Sequence, residues 1–210
     1  PLYSSAASDV YKRQEKNMLS RTADSLYWVS RYVERAEYLA RILEATTRLS
    51  NLPSSYGGAA SEWESAVKTA GCGEIFREHH DVANEANVHH FLCFSPDNPS
   101  SIRNCIEMAR ANARAVRTAL TYEMWDTLNS AWLELKKYDG RQLSRDDYGR
   151  FIEFVKALSL SFDGSAYRTM LRSDGYWFSR LGVYVERADN TARILLSLIH
   201  ISEPTRPRLI

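Results

Sequence analysis

The chain has 210 residues, with 27 basic and 26 acidic side chains and 44% hydrophobic residues. A balance so close to neutral argues against bulk nucleic-acid binding, and no apolar run approaches the roughly 18 residues of a membrane span. Cys72, Cys93 and Cys105 are scattered and form no C-x-x-C, which argues against a disulfide framework and suits a reducing cytoplasm.

Both ends read as foreign to what lies between them. Ser4 to Gln14 is SSAASDVYKRQ and Leu196 to Arg206 is LSLIHISEPTR. The DNA stretch GATGTGTATAAGAGACAG encodes Asp9 to Gln14, and its reverse complement encodes Leu196 to Ile201. The two ends thus resemble one sequencing-library adapter translated in opposite orientations. The expectation is a tail over 1–17, a domain over 18–195 that starts at Met18 and is truncated at its C-terminal side, and a second tail over 196–210. Without the charges of the tails the chain holds 22 basic and 23 acidic residues. Part of its basic character therefore belongs to the ends. Met18-Leu19-Ser20-Arg21-Thr22 has no signal-peptide character, and the expected location is cytoplasmic.

The first native helix is expected from about Ser25 to Leu49, capped by Thr22, Asp24 or Ser25 and closed before Asn51-Leu52-Pro53. At about 100° per residue, Leu26, Val29, Val33, Ala36, Ala40 and Leu43 form one apolar seam. Trp28, Tyr32, Leu39 and Ile42 widen that seam to about half the helix. Glu34 and Arg41 fall on the polar side with Tyr27, Arg31 and Tyr38. Arg35 falls inside the apolar arc, where a charge must snorkel, pair or serve a function.

The same phrase returns near the end. Tyr32-Val33-Glu34-Arg35-Ala36 becomes Tyr184-Val185-Glu186-Arg187-Ala188, and Ala40-Arg41-Ile42-Leu43 becomes Ala192-Arg193-Ile194-Leu195, at an offset of 152 residues. Arg187 repeats the anomaly, lying between Val183 and Ile194. The expected arrangement is a reciprocal clamp in which the two helices pack, Glu34 meeting Arg187 and Glu186 meeting Arg35. A site for an anionic ligand and mere solvated charges are the alternatives, since the guanidinium fork of Arg fits carboxylate and phosphate alike.

Between the copies, a loop is expected over Ser54 to Gly58. A capping box over Ser61-Glu62-Trp63-Glu64 then opens a short helix that stops at Gly71-Cys72-Gly73. One or two short helices cover Glu74 to Phe94. The pairs His79-His80 and His89-His90 lack the i, i+4 spacing of helical metal ligands. They read as surface or interface histidines, and no metal is expected. Ser95-Pro96-Asp97-Asn98-Pro99 is a break, with Pro99 or Ser100 opening the next helix. There Ile102, Ile106, Ala109, Ala113, Val116 and Leu120 form a seam beside a stripe of Arg103, Arg110, Arg114 and Arg117. That stripe reads as a structural face paired with acidic neighbours or solvated, or as a cradle for a phosphate-bearing ligand. A helix from Thr121 to Tyr138 turns Met124, Trp125, Leu128, Trp132 and Leu135 inward, accompanied by Glu123 and Asn129, and ends at Asp139-Gly140. Ser144 opens another, carrying Phe151, Phe154, Val155 and Leu158, with an interruption expected at Gly164. The second repeat helix starts near Ser173-Asp174. No stretch alternates long enough to require a strand, so the fold class is all-α, an irregular bundle of six or seven helices.

No phosphate-binding, dinucleotide-binding, nucleophile-elbow or H-E-x-x-H motif is present, and no cofactor is expected. The weak catalytic candidates are Glu34 and Glu186, each beside an arginine.

MLSRTADSLYWVSRYVERAEYLARIL at the start, NPSSI with ARANARAVR and EMW in the middle, and TMLRSDGYWFSRLGVYVERADNTARIL at the end together resemble the bacterial Alpha-E domain family. It is named for its helical fold and ER motif. The resemblance covers nearly all of residues 18–195, and family members are typically longer. On motif positions it points to Glu34, Arg35 and Arg41 and to Glu186, Arg187 and Arg193, and further to Asn98, Arg110, Asn112, Arg114, Arg117, Glu123 and Trp125. Val183 departs from it, standing where a polar or basic residue is expected. The resemblance carries no biochemical activity with it. It implies a context, because such proteins are encoded beside or fused to ATP-grasp and transglutaminase-like proteins. The implied role is an accessory or substrate-holding partner of an ATP-grasp-type peptide or amide ligase, with an anionic peptide or phosphate-bearing ligand, no nucleic acid and no membrane. An enzyme using the Glu–Arg pairs in amide-bond chemistry, or a purely structural interaction protein, are the alternatives.

Overall fold

The computed structural model describes the backbone of residues 3–51, 59–138 and 143–202, and side chains over 20–51, 62–138 and 143–197. Eight helices occur among these residues, with no strand. They are α1 (Tyr3–Ser50), α2 (Ala59–Thr69), α3 (Gly73–His79), α4 (Glu85–Cys93), α5 (Ile102–Ala115), α6 (Tyr122–Leu135), α7 (Arg145–Thr169) and α8 (Asp174–Ser202).

The all-α class is as the periodicity indicated, but several boundaries moved. α1 does not start at Thr22, Asp24 or Ser25. It runs unbroken from Tyr3, because neither Gly nor Pro interrupts the sequence before Pro53 and the caps are therefore absorbed as interior residues. α7 does not break at Gly164. The helix continues to Thr169, and a Cβ built at Gly164 meets nothing within 4 Å. α2 opens two residues before Ser61. The Ser61 side chain, the Ser54–Gly58 loop and the Asp139-Gly140 stop lie outside the described residues. Ser101, not Pro99 or Ser100, caps α5 by accepting from the Asn104 amide. Ser144 and Asp147 form a reciprocal capping box at α7, satisfying orphan donors of the first turn.

α1 is the hub, touching α2, α4, α5, α7 and α8. Its seam of Leu26, Val29, Val33, Ala36, Ala40 and Leu43 is buried throughout. Ile102, Ile106, Ala109 and Ala113 of α5 and Phe151, Val155 and Leu158 of α7 belong to the same core. α6 closes the far side against α5 and α7, burying Met124, Leu128 and Leu135 while Trp125 and Trp132 are only half-buried.

α8 lies along the other flank of α1. Every hydrogen bond between these two helices joins residues 149 to 155 apart in sequence. An offset that stays constant along both helices means that they run parallel, and it brackets the offset of the repeat. The two copies of the motif therefore lie side by side in register. The shared face is Tyr27, Ser30, Arg31, Glu34, Arg35 and Tyr38 on α1 against Ser179, Gly182, Val183, Glu186, Arg187 and Asn190 on α8, the same six positions in each copy. The polar side of α1 is thus an interface and not a solvated face. The helices approach closely because small residues sit at the contact. Ser30 and Ser179 share a hydroxyl hydrogen bond of 2.7 Å, and a Cβ at Gly182 would stand 2.3 Å from the Tyr27 carbonyl oxygen.

Turning that face toward α1 leaves the apolar seam of α8 outside. Phe178, Leu181, Val185 and Leu195, the repeat counterparts of Leu26, Val29, Val33 and Leu43, are exposed, as are Trp177 and Tyr184. The same sequence pattern is core in one copy and surface in the other.

Candidate functional site

The reciprocal clamp expected from the repeat is present as two unequal ion pairs. Arg35 reaches Glu186 through a fork, Nε to Oε1 at 2.7 Å and Nη2 to Oε2 at 3.0 Å. Arg187 reaches Glu34 in the same way, at 2.7 and 3.1 Å. Such bidentate contacts are among the stronger and most geometrically specific of ion pairs.

The inequality comes from position 31 and its counterpart 183. Arg31 donates through Nε to Glu186 at 2.6 Å and through Nη1 to the Tyr27 hydroxyl at 3.1 Å. Its guanidinium stands over Trp28, 5.2 Å from the ring centroid, within cation–π range. Glu186 thus holds two arginines and is 1% exposed. Val183, which is buried, cannot do the same for Glu34. The Glu34 carboxyl is pushed up from its usual range by burial, which outweighs the one arginine it faces. For Arg35 burial acts to lower the pKa, but the hydrogen bonds and charge of Glu186 overcome it and the value ends higher than usual. One end of the repeat is sealed. The other is open, since the Arg187 side chain is 50% exposed.

A second symmetric pair flanks the first. Arg41 donates to Glu37 and Arg193 donates to Asp189, each within its own helix and at matching repeat positions. Glu37 is buried and also accepts from the Ser159 hydroxyl of α7 at 2.6 Å. The Arg193 guanidinium lies against Gly71, which has φ +73° and no room for a Cβ. Tyr38 and Asn190 are counterparts as well. The Tyr38 hydroxyl lies 3.2 Å from the Thr69 carbonyl and 3.5 Å from that of Asn190.

These side chains frame a cleft of about 340 Å³ at the open end, lined by Glu34, Glu37, Tyr38, Arg41, Arg187 and Asn190 among others. A larger cavity of about 810 Å³ lies between α2, α3 and the end of α8, with Lys68, Arg77 and Arg193 on its wall.

The remaining sequence candidates do not line the α1–α8 cleft. Asn98 is fully buried and ties the turn before α5, donating to the Phe91 carbonyl and accepting from the Ser100 amide. Along the arginine stripe the described surroundings are a neighbouring asparagine and tryptophan faces at two positions, an acidic side chain at a third and solvent at the fourth. Arg110 donates to Asn129 and stands 4.0 Å from the Trp132 ring centroid, and Arg117 stands 5.1 Å from that of Trp125. Arg114 is exposed, and Arg103 is paired with Glu107. The half-buried tryptophans of α6 offer flat faces to Arg110 and Arg117, which meet the neighbour helix through cation–π contact. Asn112 donates to the Met108 carbonyl of its own helix. Glu123 is exposed and does not accompany Trp125 inward.

Of the paired histidines, His79 and His90 are exposed as expected, and only His89 needs correcting. His89 is 2% exposed, edge-on to Trp63 and tilted against Tyr148 with ring centroids 4.6 Å apart. It is a core residue, and burial drops its pKa to about 4. Among the described residues no group of three or more His, Cys, Asp or Glu side chains is placed to hold a metal. No described helix is long and apolar enough to cross a membrane. Cys72, Cys93 and Cys105 are buried free thiols.

Sequence reasoning passed over Arg31 and Asn190. The signal for both was the gapless repeat itself, which sets Arg31 opposite Val183 and Tyr38 opposite Asn190.

Fold and site together define an all-helical domain built on two ER-motif helices locked face to face. The chain belongs to the Alpha-E family, described as a predicted alpha-helical domain with a conserved ER motif, which matches it over residues 18–208. No curated protein and no solved structure matches the chain.

Proposed function

We propose that this domain is a non-catalytic helical partner of an ATP-grasp-type peptide or amide ligase, docking the ligase and holding its substrate. The observation that carries this reading is the exposed seam of α8. Phe178, Leu181, Val185 and Leu195 are exposed, although the seam they belong to repeats one that α1 buries completely, and Trp177 and Tyr184 add to the exposed face. A contiguous apolar face of this kind marks an interaction surface. The ER charges, by contrast, are engaged with one another across the α1–α8 interface, which supports a scaffold more than a reaction centre. The ligase as partner, and a transglutaminase-like protein beside it, rest on the family context.

The test is reconstitution with an ATP-grasp protein of the kind the family context implies. The pair should run as one complex by light scattering, the domain should show no turnover alone, and Leu181→Glu should separate the two while leaving the helical signal intact. A complex indifferent to Leu181→Glu refutes the α8 face as the docking surface. The enzymatic alternative draws on Glu34, whose raised carboxyl pKa at an open cleft is the kind of group that moves protons. Under that reading Glu34→Gln abolishes activity while keeping the fold and the partner.

A further inference from the structure

We propose that the open cleft between α1 and α8 binds the carboxylate of an amino acid or of a peptide C-terminus, through the free edges of Arg41 and Arg187 and the amide of Asn190. This rests on the holding role proposed above and names the group that is held.

The first support is the pattern of unused donors. Arg41 spends Nε and Nη2 on Glu37, and Arg187 spends Nε and Nη2 on Glu34. Among the described residues neither Nη1 has a hydrogen-bond partner. Both side chains are about half exposed, 56% and 50%. Two guanidinium edges on one cleft suit a planar, singly charged acceptor.

Asn190 is the second and independent support. It is 7% exposed, it lines the cleft, and its side-chain amide has no hydrogen-bond partner among the described residues. A polar group this deeply placed ordinarily finds one. It lines that cleft, and its amide is not among the described side-chain groups cut off from solvent without a partner.

Charge then selects the ligand. Glu34 and Glu37 share the walls with Arg41 and Arg187, so the cleft is neutral overall. Two nearby carboxylates disfavour a phosphate dianion and tolerate a group with one negative charge, the more so if an ammonium accompanies it. A cavity of about 340 Å³ lies at the small end of ligand sites, room for one or two residues.

The repeat explains why only one end is open. At the equivalent position Glu186 is closed over by Arg31 and Arg35. Val183 removes that second arginine from Glu34. The two copies have divided the work, one locking the helices and the other keeping guanidinium edges in contact with solvent.

Calorimetric titration of the whole chain tests this, with L-alanine, L-alanyl-L-alanine, L-alaninamide and inorganic phosphate as probes. One or both carboxylate probes should bind, and their ranking separates a free amino acid from a peptide terminus. L-alaninamide and phosphate should bind at least tenfold more weakly. Arg41→Ala should weaken carboxylate binding at least tenfold at a temperature where its helical signal shows it folded, although leaving buried Glu37 without its guanidinium lowers the melting temperature. Val183→Arg should abolish binding by restoring the second arginine. Arg35→Lys, at the sealed end, should leave affinity unchanged. No binding of either carboxylate probe at millimolar concentration overturns the inference. So does equal binding of L-alaninamide or phosphate, or undiminished binding by Arg41→Ala. Co-purification with the ligase is read separately. A domain that docks without binding carboxylate refutes this inference alone, and one that binds without docking refutes the partner reading alone.

Discussion

Removing both arginines from Glu186 is the sharpest perturbation of the α1–α8 interface. The Glu186 side chain is 1% exposed, against 16% for Arg31 and 22% for Arg35. A charge so enclosed cannot recover its hydration when its partners leave. Breaking a buried pair by deleting one side costs about 3–5 kcal/mol. In a domain of this size that corresponds to a melting temperature lower by on the order of 10 °C. Arg31→Ala with Arg35→Ala should reach this range, because Glu186 then has no guanidinium left. Either single variant should cost less, since the other arginine still faces the carboxylate. The open pair is the internal control. Arg187 is 50% exposed, so water screens the pair, and Arg187→Ala should cost only about 1 kcal/mol. Differential scanning calorimetry on the four proteins decides the matter. Replacing Arg31, Arg35 and Glu186 together by Met, Leu and Leu should regain much of the loss, because it removes the stranded charge. An equal drop for Arg187→Ala and the double variant would refute the distinction between a sealed and an open end.

Two of the helical glycines, Gly182 and Gly164, should respond in opposite directions. Gly182→Ala places a methyl 2.3 Å from the Tyr27 carbonyl, so overpacking should cost about 1–3 kcal/mol in chemical denaturation. Gly164→Ala meets nothing within 4 Å and should stabilise by about 0.5–1 kcal/mol through helix propensity. His89 should make the fold acid-sensitive. Its folded-state pKa of about 4 lies below the ordinary histidine value of 6.5, so the unfolded chain binds the extra proton between those values and stability falls as pH falls through that window. The loss should be on the order of 3 kcal/mol, and His89→Gln should flatten urea midpoints measured from pH 7 to pH 4.

The α1 seam was legible because six apolar positions at spacings of three and four leave one face to bury, and all six are buried. The ER clamp was legible for a related reason, since a charge inside an apolar arc needs a partner and the repeat supplied one. Val183 was also visible as a departure, and it turned out to decide which end is open. What periodicity could not convey was the direction of each face. The seam of α8 has the same spacing as that of α1, yet it is exposed, because the parallel packing uses the polar face of both copies. The arginine stripe was legible only in part, since Arg103 is acid-paired and Arg114 exposed. Charge suggested acidic or phosphate partners, whereas the flat faces of Trp125 and Trp132 meet Arg110 and Arg117 from the next helix. Gly164 shows that a lone glycine inside a strong helical pattern is absorbed at modest cost.

Parallel, in-register packing of α1 and α8 also sets an order on folding. Antiparallel neighbours such as a helical hairpin close over a few residues. Contacts such as Arg35 to Glu186 must instead close a loop of 151 residues, an entropic cost of about 4 kcal/mol before any contact forms. α1, α5, α6 and α7 can assemble from nearer partners first, and the buried charges of the clamp meet only when α8 arrives. The transition state for folding should therefore contain the seam of α1 but not the ER lock. The lock then acts as a brake on unfolding, with little influence on how fast the chain folds.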